Sequence, residues 1–312
     1  MATARGVERS LRRNVVDLCW GAWSELGVSG WSRTHVTWAI DPEPLIVFTA
    51  IADLDPRLRD EALDWCIRNS RHLSRVRLRH LVLQQPDSTG DKWGYFAATV
   101  NAHAGIEWPR ASKPLPYTVT GRSILRPLSE PSMVLLRIRA MFGLGARSEI
   151  LRCLLFSHNR QFTAAMLASA TNYAKRNVAE SCDTLVQAGV LATREVSRRY
   201  YYSLANPGPL ADFVGALPEL VVDWPLLLEV LGLFLEYANV SLGASDQVRV
   251  IETHKVAERV EDALADLGLD APDRMKGAAF LAAWDEWMIE CTKELALGRW
   301  PGDNTYSTRL LV

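Results

Sequence analysis

The sequence predicts a mainly α-helical protein with one small β-ribbon in its middle and a helical domain on either side. Three observations predict it. Apolar residues recur at helical spacing through most of the 312 residues, prolines and glycines punctuate them, and only residues 190–204 pair two short strand-like runs across a tight turn. A composition that is 48% hydrophobic supplies enough apolar side chains for several cores, and the length suits three domains. Their expected bounds are 1–132, 133–205 and 206–312.

The first element is an amphipathic helix from Glu8 to Leu26, with Leu11, Val15, Leu18, Trp20 and Trp23, ended by Gly27 to Gly30. Asp41-Pro-Glu-Pro44 marks a turn before the apolar run Leu45–Ile51, and Leu58–Arg68 and Val76–Leu83 complete a helical trio. Asp55-Pro56 is a helix start, and Ser74 is an N-cap candidate. Residues 57–83 thus have helix-turn-helix order. They also carry Arg68, Arg71, Arg75, Arg77 and Arg79 with His72 and His80 and no intervening acid. Two readings stand: a second nucleic-acid contact, or arginine stems covering a core and pairing with carboxylates such as Asp60, Glu61 and Asp64. Residues 84–132 are proline-rich but interleaved with tryptophan and tyrosine, so they read as an ordered connection around Trp93–His103. Leu135–Phe142 is a helix carrying Arg137 and Arg139, broken by Gly143-Leu-Gly145.

The central domain is the most informative. Arg147–Phe156 directs Ile150, Leu151, Leu154 and Leu155 inward, Thr163 caps a short second helix, and Ala170-Thr-Asn172 breaks it. The third helix, Tyr173–Ala188, places Val178, Cys182, Leu185 and Val186 on one stripe. Tyr173, Arg176, Asn177, Glu180 and Thr184 fall on the other. Gly189 supplies a left-handed stop, Val190–Arg194 and Arg199–Leu204 form the two strands, and Ser197 and Arg198 lie at the tip. Three helices followed by a basic, tyrosine-rich hairpin give winged helix-turn-helix order.

The run "AGVLATREVSRRYYYSLA", preceded by "LASATNYAKRNVAESCDTLVQ", resembles the recognition helix and wing of bacterial MarR-type and ArsR-type winged-helix regulators. The resemblance covers about a fifth of the chain. It implies that the third helix enters the major groove of double-stranded DNA while the wing touches the neighbouring backbone. On that geometry Lys175, Arg194, Arg198 and Arg199 are expected at phosphates, and Tyr173, Arg176 and Asn177 nearest base edges. Glu180 and Asp183 lie toward the same side, where a carboxylate is repelled by phosphates unless it accepts from cytosine. Regulators of this kind commonly read two half-sites, so a homodimer is expected. A narrower resemblance rests on "DPRLRDEALDWCIRNSRHLSRVRLRHLV" with "RIRAMFGLGARSEILRCLLF". It is to multidomain winged-helix proteins that accompany AbiE/Men-type nucleotidyltransferase toxins, and it implies an autoregulating antitoxin with a cognate toxin as partner. Protein docking without DNA binding is the competing reading for the module.

After Asn206-Pro-Gly-Pro209 the chain reads as helices at Leu210–Leu217, Trp224–Tyr237, Gln247–Leu267 and Lys276–Leu297. Trp284, Trp287 and Met288 share a stripe that reads as core. The alternative is a ligand-responsive repressor whose effector sits among Trp224, Leu227, Leu231, Trp284 and Trp287.

The formal charge of -1 conceals a division along the chain. Residues 1–136 hold 17 Lys/Arg against 14 Asp/Glu, residues 137–204 hold 10 against 4, and residues 219–298 hold 6 against 16. A basic middle beside an acidic end is the footprint expected of a nucleic-acid contact whose acidic part faces elsewhere. Cys19, Cys66, Cys153, Cys182 and Cys291 are isolated, without metal-ligand spacing, and read as reduced, buried small hydrophobes. The histidines at 35, 72, 80, 103, 158 and 254 are equally scattered. No nucleophile elbow, phosphate loop or zinc-protease pair occurs, so neither catalysis, a cofactor nor a metal is expected. The absence of a long uncharged apolar run or a signal-peptide core makes a cytoplasmic protein without membrane spans the expectation.

Overall fold

Local chemistry sets the helix ends. In the computed structural model, which describes residues 3–30, 38–86, 89–157 and 160–302, the Thr3 side chain accepts the Gly6 amide to start α1 (Ala4–Leu26). Gly27 ends α1 at φ 104°, a left-handed conformation that a side chain would strain. Its Cα also lies against the chain: an added Cβ would come within 2.0 Å of the Ile124 carbonyl oxygen. Two-residue strand β1 (Trp38–Ala39) precedes α2 (Pro42–Ala52), and Asp55 then caps α3 (Pro56–Asn69) by accepting the Arg57 and Leu58 amides. A 3-10 turn at Ser70–His72 leads to α4 (Arg75–Leu83), which Ser74 caps, and α5 (Gly90–Ala104) follows. Histidines 35 and 158 fall outside the described residues.

The proline-rich connection contains α5 and then runs without helix or strand from 105 to 130. Two devices hold it. Trp93 stacks on Trp108 at 5.8 Å and donates to the Pro109 carbonyl, and the buried Asp64 carboxylate gathers the Thr120, Gly121 and Ser123 amides at 2.8 to 3.1 Å. Asp64 is therefore committed to this loop and does not pair with the arginines of α4 as one reading of the sequence had it.

After α6 (Val134–Phe142) comes a central module: α7 (Ala146–Leu155), β2 (Phe162–Thr163), α8 (Ala164–Thr171), α9 (Lys175–Gln187), β3 (Leu191–Val196) and β4 (Arg199–Leu204). The strands form an antiparallel sheet in the order β2-β4-β3, the short β2 being an addition to the expected hairpin. Ile150, Leu151, Leu154, Phe162, Leu167, Val178, Cys182, Leu185, Leu191 and Tyr202 make the module's own core. Then follow α10 (Pro207–Val214), β5 (Leu220–Val221), α11 (Trp224–Ser241), α12 (Asp246–Leu267) and α13 (Ala278–Ala296).

The two flanks, expected as separate domains, share one core. Val7, Leu11, Val15 and Leu18 of α1 belong to the same apolar cluster as Leu227, Leu231, Trp284 and Met288 of α11 and α13. Polar bonds join the same partners: Asn14 donates to the Ile289 carbonyl and to Thr292, and Trp224 donates to the Ala39 carbonyl. Parallel pairing of β1 with β5, in register Trp38 to Leu220, completes the union. Apolar periodicity identifies which face of a helix is buried but not which helix covers it, so three domains were expected where the ends build one helical body around an inserted module. The proposed effector pocket is corrected for the same reason. Trp224, Leu227, Leu231 and Trp284 are buried in this core, and Trp287 packs 5.1 Å from Trp284, so these side chains pack each other. All five cysteines are buried and free. Among the described residues no helix is long and apolar enough to cross a membrane.

Candidate nucleic-acid interface

The conformation of α9 follows from its flanks. Asn172 adopts φ 56° at the end of α8, and Ala174 is extended at the N-cap of α9, so the helix starts at Lys175. Val178, Cys182 and Leu185 turn inward, while Lys175, Arg176 and Asn177 are exposed. Ala174 offers no side-chain acceptor to the first-turn amides, and no acidic residue occupies that turn. Two cations thus stand at the positive end of the helix dipole, a like-sign arrangement that an anion would relieve.

The hairpin carries the module's remaining candidate contacts. Residues Leu191 to Val196 pair in register with Leu204 back to Arg199, and the two-residue turn between them has positive φ at both Ser197 (49°) and Arg198 (63°). That is the twist-compatible turn geometry usually occupied by asparagine and glycine. Arg194, Arg198 and Arg199 are all exposed. On one face of β4, Tyr202 is buried in the module core while Tyr200, nearer the hairpin tip, is exposed. Among the described residues no carboxylate pairs with Lys175, Arg194, Arg198 or Arg199, whereas Arg176 forms a surface pair with Glu180 at 2.8 Å. An exposed pair of this kind is worth under about 1 kcal/mol, so Arg176 remains free to exchange partners.

Tyr173 is a correction. It is only 7% exposed, its hydroxyl is 2.8 Å from the Ser74 hydroxyl, and burial pushes its phenol up. A helical wheel extended past the N-cap had put it on the outer face; the chain is not helical there, so its direction does not follow the wheel. Arg77 is a second correction, removed from the basic run that could touch nucleic acid. It is 1% exposed and donates to Asp41 and Glu43, with Nη1 2.7 Å from each.

Around Arg77 lies a buried network that sequence reasoning missed. Glu43 accepts both terminal nitrogens of Arg139 at 2.7 and 2.8 Å and the Ser74 amide at 2.7 Å. Arg139 also donates Nε to Glu149, which accepts from Arg152. Three carboxylates and three guanidiniums thus balance, all at or below 6% exposure. Burial alone would raise the Glu149 carboxyl, but Arg139, Arg77 and Arg152 outweigh it and hold it far below the usual range. The signal was a lone carboxylate in the apolar stretch Pro42-Glu-Pro-Leu-Ile-Val-Phe48, which needs buried cations. The network ties α2 and α4 of the helical body to α6 and α7. Arg137 clamps the same neck, donating to the Leu128, Glu130, Val214 and Ala216 carbonyls on both sides of the module.

Burial of Arg137, Arg139, Arg152 and Glu149 changes the charge count that matters. Seven of the ten bases and three of the four acids in residues 137–204 remain outside the interior. The surface of the segment is still basic.

No family model, curated protein or solved structure matches the chain.

Proposed function

We propose that residues 146–204 form a winged helix-turn-helix that binds double-stranded DNA, and that the chain is a sequence-specific transcriptional regulator. The observation that carries the reading is the shared exposure of Lys175, Arg176 and Asn177 on α9 and Arg194, Arg198 and Arg199 on the hairpin, on a module with a core of its own. Arg176 and Asn177 have the donors to read base edges, a guanidinium matching guanine and a carboxamide matching adenine. Lys175 and the hairpin arginines supply phosphate contacts, which set register and carry the salt dependence. One module makes few base contacts, so the regulator acts as a homodimer on two half-sites.

Selection of bound duplexes from a randomised pool, followed by fluorescence anisotropy over 50 to 200 mM salt, tests the proposal. A consensus should emerge, with log affinity falling by about 0.9 per neutralised phosphate for each log unit of salt. Arg176→Ala should cost about 1 to 3 kcal/mol and relax the preference at one position, whereas Arg198→Ala should weaken all duplexes alike. A pool without enrichment, or binding indifferent to both substitutions, overturns the reading.

A further inference from the structure

The exposed arginines of the helical body lie closer to α9 than their distance in sequence suggests. Ser74, the N-cap of α4, bonds Tyr173, which stands two residues before Lys175. At 3.8 Å per residue that separation is at most about 8 Å of chain. Ser74 is flanked by Arg71 and Arg75, both exposed. Their positions relative to α9 are fixed, because the Ser74 amide is held by Glu43, the His72 carbonyl accepts from Arg139, and Arg77 on the buried side of α4 is locked into the ionic network.

We propose that Arg71 and Arg75 contact the phosphate backbone of the same duplex that α9 reads, so that the helical body extends the DNA footprint of the module. This rests on the DNA-binding reading above. A guanidinium on a flexible stem reaches several ångströms beyond its Cα, and both side chains point into solvent. Arg71 Nε donates to the His72 ring at 3.2 Å. That imidazole is held toward its neutral form by burial, Arg71 and Arg139, so it does not compensate the guanidinium. Arg75 has a carboxylate partner, Glu107 at 3.5 Å, but both side chains are largely exposed, at 60% and 91%. A phosphate competes easily with such a pair. The contribution is sequence-independent: it strengthens binding to every duplex and pins the orientation of the body against the groove.

The test uses the full chain, a duplex selected by the parent, and anisotropy at 50 to 200 mM salt. Arg71→Ala/Arg75→Ala should lower the slope of log affinity against log salt by about 1.8, which shrinks the affinity ratio between the two salt limits roughly 12-fold. The preferred sequence should not change. Arg71→Lys/Arg75→Lys should retain the slope, and Arg259→Ala, a charge removed from α12, should leave it as in the parent. Glu107→Gln, at a site outside the core, should tighten binding by freeing Arg75. If the double alanine variant keeps the parental slope while Arg198→Ala lowers it, the body makes no contact and the module reading survives. If the parent binds no duplex in a salt-dependent way, both readings fall together.

Discussion

Replacing Arg77 with alanine should remove a large part of the protein's stability, and the size follows from its partners. Its guanidinium is buried and bonded to both carboxylate oxygens of Asp41 and to Glu43, with Glu149 at 3.9 Å. The three acids now stand against Arg139 and Arg152 alone, so one buried negative charge is uncompensated. Breaking a buried pair by removing one partner costs about 3 to 5 kcal/mol. Whole-domain stabilities are of order 5 to 15 kcal/mol, so about a fifth or more is at stake. Urea unfolding followed by far-ultraviolet circular dichroism measures it. A second variant separates lost charge balance from lost packing. Arg77→Met/Asp41→Leu removes a cation and an anion together and fills the space with apolar atoms, which should recover at least about 1 kcal/mol relative to Arg77→Met alone. A cost below about 1 kcal/mol for Arg77→Ala, or a double variant as unstable as the sum of its singles, would refute the balanced-network argument.

Three further outcomes are expected. Glu149 is held far below an ordinary glutamate by three arginines, so its contribution is complete above about pH 4.3 and fades as pH falls toward its folded value. The gap in unfolding free energy between parent and Glu149→Gln should therefore be constant from pH 5 to 7 and narrow at about pH 3; a gap that widens on acidification contradicts the assignment. Tyr173→Phe deletes the hydroxyl bonded to Ser74 and should cost about 0.5 to 1.5 kcal/mol without altering the DNA sequence preferred; a changed consensus would return Tyr173 to the interface. Gly27→Ala combines a left-handed backbone with a Cβ 2.0 Å from the Ile124 carbonyl oxygen. It should destabilise by at least about 2 kcal/mol in urea, and a neutral result would mean that the 105–130 segment yields without cost.

Much of the local structure was legible because it depends on local chemistry. The helix expected from Glu8 to Leu26 is observed from Ala4 to Leu26, and Thr163, Gly189 and the Ser197–Arg198 turn do what their positions suggested. The missing strand β2 is two residues long, too short for alternation to reveal it. Failures begin where a residue's role depends on distant chain. Arg77 reads like Arg75 and Arg79 in sequence, and only the approach of Asp41 and Glu43 makes it interior. Of the proposed contact residues, Lys175, Arg176, Asn177, Arg194, Arg198 and Arg199 are exposed as a DNA contact requires, while Tyr173 is not.

The arginines of this chain sort by what their surroundings supply. Those at the neck bond to nearby acceptors: Arg137 takes four carbonyls, and Arg77, Arg139 and Arg152 share three carboxylates. Burying such ions is costly enough that apolar replacements of similar volume are often as stable, so hydrophobic adhesion alone could have joined module to body. Directional bonds do something adhesion does not. Each guanidinium fork admits one arrangement of its partners, so α4, α6 and α7 cannot slide past one another without stranding a charge. The exposed bases of α9 and the hairpin stand outside this network, Arg176 with only its surface pair to Glu180, on a module whose neck is bonded to the body that bears Arg71 and Arg75. On the DNA-binding reading proposed above, a flexible tether would leave the body's charges to find phosphates independently, whereas a bonded neck lets Arg71 and Arg75 meet the same duplex as α9.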